Sequence, residues 1–320
     1  EKGEIWGPRI ITSGPSFNGN SAAKATEASK LVREHKNAGY DLLKIHPGIP
    51  RESFDALART AREVNIPMAG HVPYEVGIWK AIEAKFASVD HLDGMVESLV
   101  PNLNSIAEQD AGMFGIFIGH KADTSKIPAL LKAMRDNKIW LVPTEALAIR
   151  WFGSEIPVET LASAPEMKYM PAKTREEWKQ AKTNFMSQQR YRAEDVKKWN
   201  QLRRKLILAS QQNGVGLLLG SDAPQVYNVP GFSVHQELQY LTDAGLTPYQ
   251  ALVSGTTNVG KYLGREDLGV LKVGAVSDFV LLNANPFTNI QNSAAIEGVM
   301  VGYHWLPKDF IKSELKKLEK

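Results

Sequence analysis

Four side chains able to bind a divalent cation each follow a short apolar run of the sequence. Lys44 ends Asp-Leu-Leu-Lys, His71 follows Met-Ala-Gly, His91 follows Ser-Val-Asp, and Asp222 follows Leu-Leu-Leu-Gly-Ser. Apolar runs of this length are typical of buried strands. In a (β/α) barrel the strands end at one face, and ligands from several strand ends meet there. We therefore predict that these four side chains form a cation site.

Lys44 has two alternative explanations. On a strand, Leu42, Lys44 and His46 point to the same side. Both sides are buried in a parallel barrel, so a bare ammonium is strongly disfavoured unless it is paired or neutralised. Carboxylation by CO₂ would turn the amine into a carbamate that bridges two cations. A salt bridge to Asp222 or Asp41 is the structural alternative, and the residues alone leave both open.

The two histidines and the aspartate favour a metal site when they are taken together. A lone histidine after a strand is more often a core residue than a ligand, but His71 and His91 end consecutive strands. A carboxylate at Asp222 is costly after an apolar run unless it binds a cation or N–H donors. Capping of a following helix is the alternative, which Ala-Pro after it does not favour. In a metal site Asp222 would be a ligand and the general base for a metal-bound water.

The remaining histidines give weaker predictions. His46 is a candidate to hydrogen-bond the substrate, with capping of its strand as the alternative. His120 lies in a glycine-rich stretch and is a second candidate substrate contact over the mouth of the barrel. We expect His235 on a helix surface and His35 and His304 in structural roles.

The elements that must position these side chains alternate along the chain. We predict strands over about residues 9–13, 41–46, 66–72, 87–92, 139–142 and 214–221. We predict helices over residues 21–37, 51–64, 75–84, 125–137, 233–244 and 247–254. A strand followed repeatedly by a helix is typical of parallel βαβ units. The pattern therefore predicts an α/β protein with a parallel sheet.

Two segments depart from this alternation. Trp151–Asn213 is too long for one crossover, and we expect an insertion on the barrel rim, where lids and specificity elements are common. From Asp267 onward, short strands over 268–282 and 296–301 follow each other without a helix, which predicts a small β domain. The predicted domains are a hydrolase barrel over 1–266, a β-sandwich segment over 267–306 and a C-terminal helix over 307–320.

The composition excludes several classes of protein. The 320 residues are 43% hydrophobic and 23% charged, which indicates a soluble globular protein. A balance of 38 basic and 35 acidic side chains disfavours nucleic acid as the main partner. The absence of cysteine excludes disulfides, thiolate ligands and cysteine nucleophiles. No apolar run approaches the ~20 residues of a membrane-spanning helix, and the first six residues do not resemble a signal peptide.

Further motifs run through nearly the whole chain outside Trp151–Asn213. They include Gly7-Pro-Arg-Ile-Ile-Thr-Ser-Gly14, Ala69-Gly-His71-Val, Val89-Asp-His91, Gly220-Ser-Asp222, Thr256-Thr-Asn-Val and Ser277-Asp-Phe-Val-Leu-Leu282. Taken together, they resemble the amidohydrolase superfamily, specifically its imidazolonepropionase and Xaa-Pro dipeptidase (prolidase-like) branch. No glycine-rich phosphate loop is present. The Gly-x-Ser-x-Gly motif is also absent, which disfavours a serine hydrolase.

The resemblance implies a fold, a site and an activity. The fold would be a (β/α)8 TIM barrel, with strands three to eight in this chain, and part of a small β-sandwich. Lys44 would be the carboxylated bridging ligand, His71 and His91 the histidines of strands five and six, and Asp222 the ligand and base of strand eight. The reaction would be hydrolysis of amide bonds in dipeptides or cyclic amides, with one or two divalent cations, usually Zn²⁺.

One motif of the family has no counterpart here. The first strand of such enzymes ends His-x-His, and the nearest pair in this chain, Lys44-Ile-His46, lies on the wrong strand. Lys44, His71 and His91 would complete one metal position, whereas the other would keep only Lys44 and Asp222. Our hypothesis is that the chain is a fragment whose N-terminal piece is absent from this numbering or carried elsewhere, where it would complete the barrel as a partner.

Several functional alternatives stay open at the level of sequence. A lactonase or an imidazolonepropionase-like ring opener is the alternative within the same chemistry. A non-catalytic, metal-binding protein is the alternative if the His-x-His segment is truly absent. The expected partner is a small-molecule or dipeptide substrate, without nucleic acid or membrane. Formation of a homo-oligomer and a cytoplasmic or exported location are both left open.

Overall fold

The computed structural model describes residues 7–320, and the residues tested above for a signal peptide lie outside this range. The chain divides into two units. We call residues 10–143 and 194–217 the parallel-sheet unit, and the described residues outside these two ranges the second unit. No helix within residues 7–320 has the length and apolar character required to cross a membrane.

Helices and strands alternate along the first half of the chain, as predicted. The strands are β1 (Leu43–Ile45), β2 (Met68–Gly70), β3 (Ser88–Asp90), β4 (Trp140–Val142), β5 (Phe279–Leu282), β6 (Ile296–Val301) and β7 (His304–Pro307). The helices are α1 (Ala25–Asn37), α2 (Arg51–Glu63), α3 (Gly77–Glu83), α4 (Met95–Leu99), α5 (Glu108–Ala111), α6 (Ile127–Asp136), α7 (Glu145–Leu147), α8 (Val158–Ala162), α9 (Ala172–Met186), α10 (Ala193–Gln212), α11 (Phe232–Asp243), α12 (Pro248–Ser254), α13 (Thr257–Tyr262) and α14 (Lys308–Lys317).

The parallel-sheet unit contains a four-stranded sheet in the order β1-β2-β3-β4. Neighbouring strands are parallel, with Lys44 opposite Ala69, Gly70 opposite Val89, and Val89 opposite Leu141. Parallel pairing requires a crossover, and α2 and α3 supply the connections from β1 to β2 and from β2 to β3. The predicted parallel βα arrangement is confirmed, while closure into an eight-stranded barrel stays a prediction.

Two predicted strands are reduced to isolated bridges at the margins of this sheet. Instead of a strand over 9–13, Ser13 and Phe17 form single parallel bridges to Leu42 and Ile45. Pro15 lies between the two bridges and has no N–H to donate to a ladder. In the predicted strand 214–221 only Leu217 forms a bridge, to Leu141. The N–H of Leu219 instead donates to the carbonyl of Ser254, the last residue of α12.

Helix α2 illustrates how the pattern of apolar residues packs this unit. Phe54, Leu57 and Ala61 recur at helical spacing, and all three are buried. On the same helix the Oγ1 of Thr60 donates to the Oγ of Ser29 on α1 at 3.0 Å, which joins the two helices. Burial of apolar side chains at this spacing is the main source of stability for such a helix.

Helix α10 joins the parallel-sheet unit although the sequence suggests an insertion there. Residues 194–217 belong to this unit, and the buried Trp199 donates from its Nε1 to the carbonyl of Phe114 at 2.9 Å. The C-terminal half of the predicted insertion is therefore a packed element of the unit that carries β1 to β4.

The second unit contains a three-stranded antiparallel sheet in the order β5-β6-β7. Strands β5 and β6 agree with the predicted β segment, whereas residues 268–276 form no strand and β7 was not predicted. Helix α14 has no buried residue, as expected of a solvated terminal helix. Helices α8 and α9 pack through a cluster of buried apolar side chains that includes Leu161 and Trp178.

Candidate functional site

Three histidines meet at the ends of adjacent parallel strands. His46, His71 and His91 follow β1, β2 and β3. The ring of His71 lies between the other two, with centroids 4.7 Å from His46 and 4.5 Å from His91. The N–H of His71 donates to the carbonyl of Ile45 at 3.0 Å, and the N–H of His91 donates to that of Val142 at 2.9 Å. Sheet pairing therefore brings the three rings to one edge.

His91 is the most deeply buried member of this group, with 2% of its surface exposed. Burial is the main cause that holds its pKa well below the usual value, and the neighbouring His71 and Lys44 act in the same direction. Burial also lowers the pKa of His46. Both imidazoles are therefore neutral at pH 7, which is the form that binds metal ions.

Asp93 orients His71. Its Oδ2 lies 3.0 Å from the Nδ1 of His71 and accepts the N–H of Val72 at 3.3 Å. When His71 donates from Nδ1 to this carboxylate, Nε2 is the ring nitrogen left to bind a metal ion. A carboxylate behind a histidine is the usual outer support of a metal ligand, because it fixes the tautomer and the ring orientation.

Lys44 forms an ion pair within the same unit. Its Nζ lies 2.5 Å from the Oδ2 of Asp90, and the two side chains are 25% and 18% exposed. The ion-pair alternative is thus the arrangement observed, but the partner is Asp90 and neither carboxylate weighed from the sequence. Asp41 instead accepts the N–H of Thr12 at 2.8 Å. Asp90 directly precedes His91, so Lys44 lies beside the histidine group.

Phe114 and Arg203 support the histidines and were not predicted. The ring of Phe114 stacks on His71 with centroids 6.0 Å apart and lies 5.0 Å from His91. The buried guanidinium of Arg203 donates to the carbonyls of His91 and Pro143. Phe114 has a left-handed φ of 57° between two glycines, Gly112 and Gly115. This glycine-rich turn was the available signal, but no local pattern reveals which rings it contacts.

Asp222 belongs to the second unit and lies in a tightly bonded turn. Its φ is 59°, in the left-handed region. The side-chain amide of the buried Asn228 donates to the carbonyl of Ser221, and the hydroxyls of Ser221 and Ser233 lie 2.8 Å apart. These contacts hold the main chain on the N-terminal side of Asp222 in place. The structure brings Lys44, His46, His71 and His91 together in one unit, and the joint site with Asp222 stays a prediction.

The other histidines lie outside the three-ring group. The Nδ1 of His120 lies 4.0 Å from the Oδ2 of Asp195 on α10, and contact with a substrate remains a prediction. His235 was expected on a helix surface, but it is half-buried and its Nδ1 lies 2.9 Å from the Oγ of Ser293. His35 is buried against the rings of Phe17 and Tyr40, in agreement with a structural role.

A cavity of about 590 Å³ opens beside His71. Its walls come from the loops that follow β1, β2 and β3 and from the glycine-rich turn around Phe114. The carboxylates of Asp93 and Glu97 line it together with the apolar side chains of Trp79 and Met113. A concave site with apolar walls and a few convergent polar groups is typical of small-molecule binding.

The family model for the amidohydrolase family matches residues 1–306. The chain belongs to the amidohydrolase family. It is accordingly a hydrolase of C–N bonds. A comparison with curated proteins finds no significant match.

Solved structures of three hydrolases share its fold. Bottromycin amidohydrolase is 21% identical with a TM-score of 0.71 over 98% of this chain and 68% of its own. A Xaa-Pro dipeptidase with methionine bound in its active site is 18% identical with a TM-score of 0.59 over 95% of this chain and 70% of its own. Molinate hydrolase is 17% identical with a TM-score of 0.58, covering 93% and 57%.

Amidohydrolases usually bind divalent metal ions, and the donors of this amidohydrolase suit such an ion. Neutral buried imidazoles and carboxylates are the ligands that Zn²⁺ takes in a protein without cysteine. Among residues 7–320, no three His, Asp or Glu side chains come together as a metal-binding group. The ligand set of Lys44, His71, His91 and Asp222 therefore remains a prediction, supported by the placement of the two histidines and by Asp93 behind His71.

Proposed function

We propose that this amidohydrolase is a metal-dependent enzyme that cleaves the amide bond of dipeptides or cyclic amides. The observation that carries the proposal is the group of His46, His71 and His91 at three adjacent strand ends, with Asp93 behind His71. A histidine backed by a carboxylate is the arrangement that metal ligands use.

His71, His91, Lys44 and Asp222 are the proposed holders of the cation. A divalent ion such as Zn²⁺, when bound, acts as a Lewis acid and makes water a nucleophile near neutral pH. Burial keeps His91 neutral, and Asp93 fixes the orientation of His71. Lys44 would take part in its carboxylated form, which would require its ion pair with Asp90 to open.

Asp222 is the proposed general base. Its carboxylate would take a proton from the attacking water and pass it to the leaving amine, because a nitrogen leaves an acyl carbon only when protonated. Asn228 fixes the turn before Asp222 through the carbonyl of Ser221. We therefore propose that Asp222 transfers the proton and that the substrate enters through the cavity beside His71.

The substrate proposal follows the structural neighbours and the cavity. The neighbour that is a Xaa-Pro dipeptidase supports a prolidase-like branch, and a cavity of about 590 Å³ is large enough for a dipeptide. The within-class rival is a lactonase or an imidazolonepropionase-like ring opener. We further propose that the segment around Ser13, strands β1 to β4 and the segment around Leu217 occupy positions three to eight of a TIM barrel, as the motifs imply.

Metal analysis and a substrate panel test this function. The full chain should contain one or two divalent ions, hydrolyse a Xaa-Pro or other dipeptide, lose activity with a chelator and regain it with Zn²⁺. H91A and D222N should each lower kcat by at least about 100-fold. H304A, at an exposed histidine of β7, is the matched control and should keep full activity. Hydrolysis of lactones alone would favour the rival, and absence of both metal and hydrolysis would refute the proposal.

A further inference from the structure

The cavity beside His71 has an apolar mouth. Trp79 on α3 is 52% exposed, and Met113 in the glycine-rich turn is 50% exposed. Large apolar side chains that line a cavity and stay exposed to water gain free energy when an apolar group covers them. One part of the cavity therefore suits an apolar portion of a ligand.

Acidic side chains line the deeper part of the same cavity. Asp93 and Glu97 are both buried there, at 7% and 6% exposure, and Glu75 and Glu108 are exposed lining residues. Arg51 and His71 are the basic side chains among the lining residues. The carboxylates of Asp93, Glu75 and Glu108 outnumber these two basic side chains and give the cavity a negative potential, which attracts a cationic ligand.

Glu97 is the buried carboxylate with an unused hydrogen-bonding atom. The main-chain N–H groups of Gly94 and Glu97 hydrogen-bond its carboxyl group. Its Oε2 is buried and has no hydrogen-bond partner among the described residues. A buried carboxyl oxygen without a partner costs free energy, and a donor on a bound ligand would remove that cost.

We infer that Glu97 is a specificity residue that binds a primary ammonium group of the substrate, while the apolar part of the substrate lies against Trp79 and Met113. The inference rests on the proposed amide hydrolysis at the adjacent histidines. It narrows the substrate class to amides with a free amino group, such as unblocked dipeptides. N-acylated peptides and neutral rings lack the donor.

A further observation agrees with an ammonium ligand. Burial first, and then the neighbouring Asp93, raise the pKa of Glu97 to about 8, and a positive charge beside this carboxyl would favour its ionised form. The exposed apolar side chains of Trp79 and Met113 suit an organic cation that carries an apolar portion.

Binding of a small amine tests the inference without turnover. Isopentylamine and its uncharged isostere isopentanol are titrated into the full chain by calorimetry or ligand-observed NMR. The amine should bind at least about tenfold more tightly, because a hydrogen bond to a charged group contributes about 1.5–3 kcal/mol. Equal affinity for the two compounds in the wild-type protein would overturn the inference, even if no variant could be made.

A matched pair of variants then assigns the effect to Glu97. E97Q keeps the shape of the side chain and should reduce the preference for the amine to about threefold or less. E83Q removes the same charge from an exposed position on α3 and should leave the preference unchanged. An undiminished preference in folded E97Q would place the ammonium elsewhere and overturn the inference.

Turnover separates this inference from the proposed function. A free dipeptide should be hydrolysed with a kcat/KM at least about tenfold higher than its N-acetylated form, and E97Q should narrow that gap. Equal hydrolysis of both peptides would overturn the inference while the proposed function stands. Glu97-dependent amine binding without any peptide hydrolysis would support the role of Glu97 and refute the proposed function.

Discussion

The guanidinium of Arg203 holds the main chain of His91. Its Nη1 donates to the carbonyl of His91 at 2.6 Å, its Nη2 donates to the carbonyl of Pro143 at 2.9 Å, and the group also stacks on Trp199 at 4.8 Å. Arg203 is fully buried on α10, whereas the two carbonyls follow β3 and β4. One side chain therefore links a distant helix to the ends of two neighbouring strands.

We predict that R203M destabilises the protein by about 3 kcal/mol, because two buried carbonyls lose charged donors. The urea midpoint of unfolding measures this loss. K205M on the exposed face of the same helix is the control and should change stability by less than about 0.5 kcal/mol. Equal effects of the two substitutions would contradict the proposed role of Arg203.

Replacement of Asp93 tests the support behind His71. D93N should lower Zn²⁺ affinity by about 10- to 100-fold, because the amide holds the imidazole tautomer less well than the carboxylate does. Competition with a chromogenic chelator measures the affinity. D55N, at a carboxylate paired with Arg51 on α2 and Lys80 on α3, is the matched control. Unchanged affinity in D93N would argue that His71 is not a ligand.

Lys44 is tested by replacement and rescue. K44A should lose both metal and activity if the lysine acts in its carboxylated form, and added short-chain carboxylic acids should restore part of each. If K44A kept the metal content of the wild type, the ion pair with Asp90 would be the role left for Lys44. In that case a double-mutant cycle of K44M and D90N should give a coupling energy of about 1 kcal/mol, since both side chains are partly exposed.

Asn228 is predicted to position Asp222. N228A removes the amide that donates to the carbonyl of Ser221 and should lower kcat by about tenfold with little change in KM, because a misplaced base affects the proton transfer more than substrate binding. N283A, in an exposed asparagine that follows β5, is the control. A rise in KM alone would indicate a different role for this turn.

Glu97 should make stability depend on pH. Its pKa is about 8 in the folded protein and about 4.5 in a model peptide, so the folded state binds the extra proton between these values. Stability therefore falls as pH rises through this window, by up to about 1.4 kcal/mol per pH unit. In urea unfolding at pH 5, 6.5 and 8, the free energy of unfolding of E97Q should rise relative to that of the wild type as the pH rises. A constant difference between the two proteins would contradict the raised pKa.

The sequence by itself determined the alternation of strands and helices and the residues that end the strands. Apolar runs and helical spacing are local patterns, so β1 to β4 and their helices were predictable to within a few residues. Strand pairing then follows from parallel connection, which is why histidines separated along the chain were expected at one edge. The same local patterns overestimated the strands at 9–13 and 214–221, because a ladder also requires a partner for each N–H.

Only the tertiary structure decided which groups surround those histidines. The pairing of Lys44 with Asp90, the support of His71 by Asp93 and the contact of Phe114 with two imidazoles all join residues from different segments of the chain. Arg203 and the unpartnered oxygen of Glu97 likewise depend on how α10 and α4 pack. Such contacts arise from side-chain packing between segments far apart in sequence, and no periodicity along the chain records it. The chemistry of the strand ends could thus be predicted, but the neighbours that tune it could not.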